Sequence, residues 1–170
     1  MATRRDILFG TAAGAIAATA LAVGTLRFFG PGAHAAEGKF EITRSREEWK
    51  KLLTPQQYAV LREEDTERPF SSPLDTEKRK GTFACAGCDL PLYSSATKFD
   101  SGTGWPSFYA PIERAVDTRE EGALGFYRTE VHCRRCGGHL GHVFEDGPPP
   151  TGLRYCMNGV ALTFNAGAAA

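Results

Sequence analysis

Two cysteine pairs constrain this chain more than any other feature: Cys85-Ala86-Gly87-Cys88 and Cys133-Arg134-Arg135-Cys136. A Cys-x-x-Cys turn brings two sulfurs to the same side, and Gly87 and Gly137 supply the permissive backbone such turns need. Two pairs together make a closed, tetrahedral, all-cysteine zinc site. The 44 residues between Cys88 and Cys133 exceed zinc-ribbon spacing, so the metal would staple two distant hairpins rather than build one finger. Two alternatives stay open. Disulfides are favoured in exported chains. A mixed site of Cys133, Cys136, His139 and His142 would crowd its ligands into ten residues and leave Cys85 and Cys88 orphaned.

The start of the chain bears on that choice. Arg4 and Arg5 precede an apolar, alanine-rich run over residues 7–26, and Ala33-His34-Ala35 follows as an A-x-A cleavage pattern. Charged region, apolar region and cleavage site come in the order of an export signal. Thr3-Arg4-Arg5-Asp6-Ile7-Leu8 resembles the twin-arginine type. An uncleaved membrane anchor is the competing reading, since about 20 apolar residues can span a bilayer. Gly10, Gly14 and Gly24 keep the run only mildly hydrophobic, which favours cleavage. Residues 1–35 are therefore expected to be a cleaved signal, and residues 36–170 one domain working in the periplasm or another extracytoplasmic space. The twin-arginine route moves folded proteins, so zinc can be loaded in a reducing cytoplasm beforehand.

Charge excludes some partners. The chain carries 20 basic and 20 acidic residues, and cleavage after Ala35 leaves 17 and 19. No block of like charge marks a nucleic-acid surface, which needs clustered Lys and Arg. A membrane would be met only through an uncleaved signal.

Within the domain, residues 45–53 read as a short helix, with Ser45 as N-cap and Glu48 completing a capping box. Trp49, Leu52 and Leu53 are placed on its inner face. Thr54 caps a second helix that has Pro55 at its first position and runs to about Glu64. Tyr58 and Leu61 are expected to face inward. From Gly81 onward, β-favouring runs at 81–84, 108–112, 125–131, 142–144, 154–157 and 160–164 alternate with Gly and Pro breaks. The expected class is α+β, with two short N-terminal helices ahead of mainly antiparallel sheets, stapled by zinc.

The fifth cysteine stands alone in Arg154-Tyr155-Cys156-Met157-Asn158. A lone cysteine in a β run is more often a small buried hydrophobe than a nucleophile. Here Arg154 and Asn158 flank it two residues away, so a strand would set all three on one face. His139 and His142, beside the second cysteine pair, are acid–base candidates. Gly102-Thr103-Gly104-Trp105-Pro106-Ser107-Phe108 reads as a rigid aromatic loop, in which Trp105 and Phe108 could cage a small thioether-like group.

These motifs, in this order over about residues 43–164, resemble the peptide-methionine (R)-S-oxide reductase family. The resemblance implies a fold of mainly antiparallel sheets with zinc on Cys85, Cys88, Cys133 and Cys136, far from the active site. It implies that Cys156 attacks the sulfoxide sulfur and that His139, His142 and Asn158 organise the sulfoxide oxygen and nearby water. It further implies that Trp105 packs on the substrate methyl group, Arg154 lowers the thiol pKa and Asp146 orders the polar network. The substrates would be oxidised proteins or peptides, and the reductant an external thiol of thioredoxin-like type. Two positions depart from the family pattern. Thr103 stands where many members carry a resolving cysteine, and Gly159 where serine is frequent, the latter a change expected to be minor. Two other functions compete: a thiol–disulfide oxidoreductase using Cys85 and Cys88, and a zinc interaction module with Cys156 inert.

Overall fold

Both helices are set by local capping. In the computed structural model, which describes residues 40–167 apart from residue 124, α1 spans Arg46–Leu52 and α2 spans Pro55–Glu63. The Ser45 hydroxyl accepts from the Glu48 amide, and the Glu48 carboxylate accepts from the Ser45 amide at 2.8 Å. Thr54 and Gln57 repeat the arrangement ahead of Pro55. Each box satisfies amides that a helix start leaves orphaned. Trp49, Leu53, Tyr58 and Leu61 are buried as expected, but Leu52 is 58% exposed. With its turn ending at Leu53, α1 is too short to bury two adjacent leucines on one face.

Among the described residues nine strands follow: β1 Gly81–Cys85, β2 Pro91–Ser94, β3 Lys98–Phe99, β4 Ser107–Phe108, β5 Val116–Ala123, β6 Phe126–Cys133, β7 His139–Phe144, β8 Arg154–Met157 and β9 Leu162–Ala166. All pairings are antiparallel. They form a three-stranded sheet ordered β2-β1-β9 and a six-stranded sheet ordered β3-β4-β8-β7-β6-β5. Two expected strands are shifted. The 108–112 run keeps only Phe108 in β4, and a 3-10 turn at Gly159–Ala161 takes the start of the 160–164 run. The predicted signal, residues 1–35, lies outside the described residues. Among the described residues no helix is long and apolar enough to cross a membrane.

The core lies between the two sheets. Phe83 and Tyr93 come from the smaller sheet, and Phe108, Val131, Leu140 and Met157 from the larger; all are fully buried. Phe108 stacks on Tyr93 with ring centroids 4.3 Å apart and meets Phe83 edge-on at 5.0 Å. Removing such a ring costs about 3–5 kcal/mol. This packing fixes the outer face, because strand residues alternate. With Tyr155 and Met157 packed toward the core, Arg154 and Cys156 are presented on the other side.

Candidate active site

Cross-strand registry assembles a single row on that outer face. Phe99 pairs with Ser107, Ser107 with Cys156, Cys156 with His142, His142 with Glu130, and Glu130 with Arg119. Directly opposed residues project to the same face of a sheet. Six strands thus contribute one side chain each to a line running through the lone cysteine.

Hydroxyls surround the thiol on one side. Thr103 Oγ1 lies 3.9 Å from Cys156 Sγ, and Ser101 Oγ lies 2.8 Å from Thr103 Oγ1 and 2.7 Å from Ser107 Oγ. Burial pushes the Cys156 thiol up from its ordinary range, and the Thr103 hydroxyl and the Arg154 charge only partly offset it. Arg154 acts in the expected direction, lowering the Cys156 pKa through its charge and a side-chain bond, but burial outweighs it. The guanidinium is near enough to help, but it is committed to the Asp146 carboxylate through two bonds of 2.9 and 2.8 Å. Asp146 is largely exposed, and its contact with this network is through Arg154.

The two histidines form the other side. Their ring centroids are 5.4 Å apart. His139 is buried, its Nδ1 lies 2.9 Å from Glu130 Oε1, and its Nε2 has no protein partner. His142 Nε2 lies 3.5 Å from Glu121 Oε2 without forming a hydrogen bond. Burial, with help from the nearby Arg128 charge, holds the His142 imidazolium below its usual range. Glu130 is buried and also meets His132 Nδ1 at 3.2 Å and Arg119 at 3.1 Å. Burial opposes its charge, but the bonds to His132 and His139 prevail and bring its pKa down to about 2.

Asn158 does not continue the strand. Its Oδ1 accepts from the Glu67 amide at 3.0 Å and its Nδ2 donates to the Leu140 carbonyl at 3.1 Å. Trp105 is half-buried, and its indole N–H donates to the Glu67 carbonyl at 3.1 Å. Phe108 is corrected: it is wholly in the core, because alternation along β4 sends Ser107 outward and Phe108 inward. A cavity of about 930 Å³ lies between α2, the 65–74 connection and β9, and Cys156 does not line it. Chemistry converges on the row instead, so the row is the better guide.

The remaining four cysteines gather at the far ends of β1 and β6. Cys85 Sγ lies 3.8 Å from Cys136 Sγ, Cys88 Sγ lies 3.5 Å from Cys133 Sγ, and all four sulfurs fall within 4.8 Å of one another. Tetrahedral zinc with Zn–S bonds of about 2.3 Å requires sulfur spacings of about 3.8 Å. No two of the five sulfurs are joined, and the four clustered ones stand at metal-ligand spacing, which favours zinc over the disulfide alternative. The mixed alternative falls, because His139 is engaged by Glu130. Arg62 donates to Cys136 Sγ at 3.6 Å and to its carbonyl at 3.1 Å, placing positive charge beside a thiolate cluster.

Residues 53–166 match the SelR domain model. This chain belongs to the SelR family. The peptide methionine sulfoxide reductase MsrB of Pseudomonas putida is 58% identical over 126 residues, covering 73% of this chain and 94% of that protein. The protein of the same name from Leptospira interrogans is 52% identical over 126 residues, covering 74% and 96%. Its namesake from Methanosarcina barkeri is 58% identical over 124 residues, covering 72% and 87%. The four-cysteine cluster is the structural zinc site of this SelR domain.

Several residues of the SelR domain site escaped the sequence reading: Glu130, Glu121, Arg119, Ser101, Ser107 and Glu67. Each is an ordinary polar residue in sequence; strand registry or a long-range bond brings all but Ser101 to the site, and Ser101 joins through its bonds to Thr103 and Ser107. Gly159 is a second correction. A Cβ there would lie 2.1 Å from Ser72 Oγ and 2.5 Å from Ser72 Cβ, so serine at this position requires the 71–74 turn to move.

Proposed function

We propose that this chain reduces the R epimer of methionine sulfoxide in proteins and peptides to methionine, with Cys156 as nucleophile. The observation that carries this reading is the register row. A lone, half-buried thiol sits between a hydroxyl cluster and an imidazole, on one face of one sheet. The names of the similar proteins support the same reaction.

The chemistry follows from the protonation states. At neutral pH a raised Cys156 keeps its proton and a lowered His142 stays neutral, so the site holds the proton that the sulfoxide oxygen needs. The Cys156 sulfur attacks the sulfoxide sulfur. Its proton passes to the oxygen with His142 as donor and His139 beside it. The S–O bond breaks and methionine leaves. Oxygen ends on Cys156 as a sulfenic acid, and two electrons have passed to the substrate sulfur. Asn158 and His139 orient the oxygen, while Trp105 takes the methyl group. Arg154, held by Asp146, supports developing negative charge on sulfur.

Recycling needs an outside thiol. The other four cysteines are zinc ligands, and Thr103 cannot form a disulfide. One external thiol condenses with the sulfenic acid to give a mixed disulfide and water, and a second releases Cys156 as thiol. A thioredoxin-like dithiol fits both steps. The Arg4-Arg5 signal pattern supports twin-arginine export, and hence repair of oxidised proteins in a periplasmic or other extracytoplasmic space.

Single-turnover assays with each epimer of a methionine sulfoxide peptide, without reductant, test the reading. The R epimer should yield about one methionine and one dimedone-reactive Cys156 per chain, with no new disulfide. Equal use of both epimers, or a Cys156→Ser chain that still turns over with dithiothreitol, would overturn it.

A further inference from the structure

Residues 64–80 connect α2 to β1 without regular structure, yet one residue in this stretch reaches three parts of the site. Glu67 accepts the Trp105 indole N–H on its carbonyl at 3.1 Å and donates its amide to Asn158 Oδ1 at 3.0 Å. Its carboxylate accepts from the amides of Gly159 and Val160, at 2.5 and 2.9 Å.

These last two bonds have a specific cause. Asn158 is the N-cap of the 3-10 turn Gly159–Ala161, but its side chain makes no capping bond there. It is held instead by the Glu67 amide and the Leu140 carbonyl. The turn's first amides would therefore be orphaned, and the Glu67 carboxylate takes over the cap. An asparagine amide nitrogen has two N–H groups. One goes to Leu140, so the second is free for a substrate oxygen. Burial pushes the Glu67 carboxyl up, against the pull of the two amides, so its place is not a solvent preference.

We propose that Glu67 is a positioning residue of the reductase site: it fixes the Trp105 indole and the Asn158 amide relative to each other while touching no reacting atom. The proposal rests on the reductase reading above. Neither the methyl cage nor the oxygen ligand is placed by its own strand. Trp105 sits on a glycine-flanked loop, and Asn158 lies one residue past the end of β8. The same residue bonds to both, so one displacement moves both.

The test uses the full chain and three variants. Glu67→Gln keeps the shape, but its single carbonyl oxygen cannot serve both amides as well, and its NH2 group would face a donor. KM for a methionine-(R)-sulfoxide peptide should rise about tenfold, the scale of one lost net hydrogen bond. Iodoacetamide alkylation of Cys156 should stay within about twofold of wild type, since the thiol's own neighbours are untouched. Trp105→Phe keeps an aromatic face but loses the N–H to Glu67, and should raise KM in the same way even if Glu67→Gln folds poorly. The double variant should be no worse than the poorer single one, because both cut one linkage. A native KM in both single variants, or additive losses in the double, would overturn the proposal. So would alkylation falling in step with turnover. A wild-type chain that reduces neither epimer instead overturns the reductase reading itself.

Discussion

Cys156 and His142 are register partners across β8 and β7, facing the same side of the six-stranded sheet. Neither needs a charge at rest. Burial keeps the thiol protonated and the imidazole neutral, so the pair stores a proton without paying for a buried ion.

That arrangement sets the thiol's titration. Cys156 alkylation by iodoacetamide, followed by mass spectrometry from pH 7 to 11, should rise with an inflection above the ordinary 9.0. Arg154→Met removes a lowering influence and should move the inflection higher still. An inflection near neutrality would mean the free enzyme holds a thiolate.

His142 should matter to the reduction and not to the thiol. Positioned acids contribute about 100-fold to 10,000-fold. His142→Ala should therefore slow methionine formation by at least about 100-fold while Cys156 remains alkylatable. A variant with native rates across neutral pH would remove His142 from the mechanism.

Glu130 ties His139, His132 and Arg119 together from a buried position. Its folded pKa, about 2, lies below the ordinary 4.5, so its stabilisation is present above the ordinary value and is lost as pH falls toward about 2. Glu130→Gln should cost about 3–5 kcal/mol at neutral pH, because it leaves buried partners uncompensated. The loss should shrink on acidification. Denaturant melts at pH 7 and pH 3 check both, and an equal loss at the two values would contradict the assignment.

Zinc should be structural. One zinc per chain is expected by metal analysis, and Cys85→Ser or Cys133→Ser should prevent folding, since such sites contribute on the order of 10 kcal/mol. A metal-free chain with an unchanged melting temperature would exclude the role.

Local signals were the legible ones. Two capping boxes lie within four residues each, so Ser45, Glu48 and Thr54 announce their helices. Strand β8 coincides with the predicted 154–157 run, and the two cysteine pairs foretell the zinc cluster. Strand β5 could not be seen, because its VDTREEGA sequence has no apolar alternation and owes its conformation to pairing with β6. The site partners were hidden by distance along the chain. Glu67 meets Asn158 across 91 positions, and no periodicity marks either residue. Phe108 was misread because its neighbour Trp105 drew it to the site, whereas the pleat sent it to the core.

The register row carries a consequence for how this chain behaves when damaged. Its members come from strands spanning residues 99 to 156, one per strand, with Arg119 closing the far end. A slip of one residue in any strand would send that strand's member to the opposite face. A half-folded chain in which β6, β7 and β8 have not paired in register therefore holds no site: thiol, imidazole and carboxylate become neighbours only once those three strands have closed. Activity in such a chain should vanish together with the cooperative transition, leaving no weakened remnant that consumes substrate without finishing the reaction.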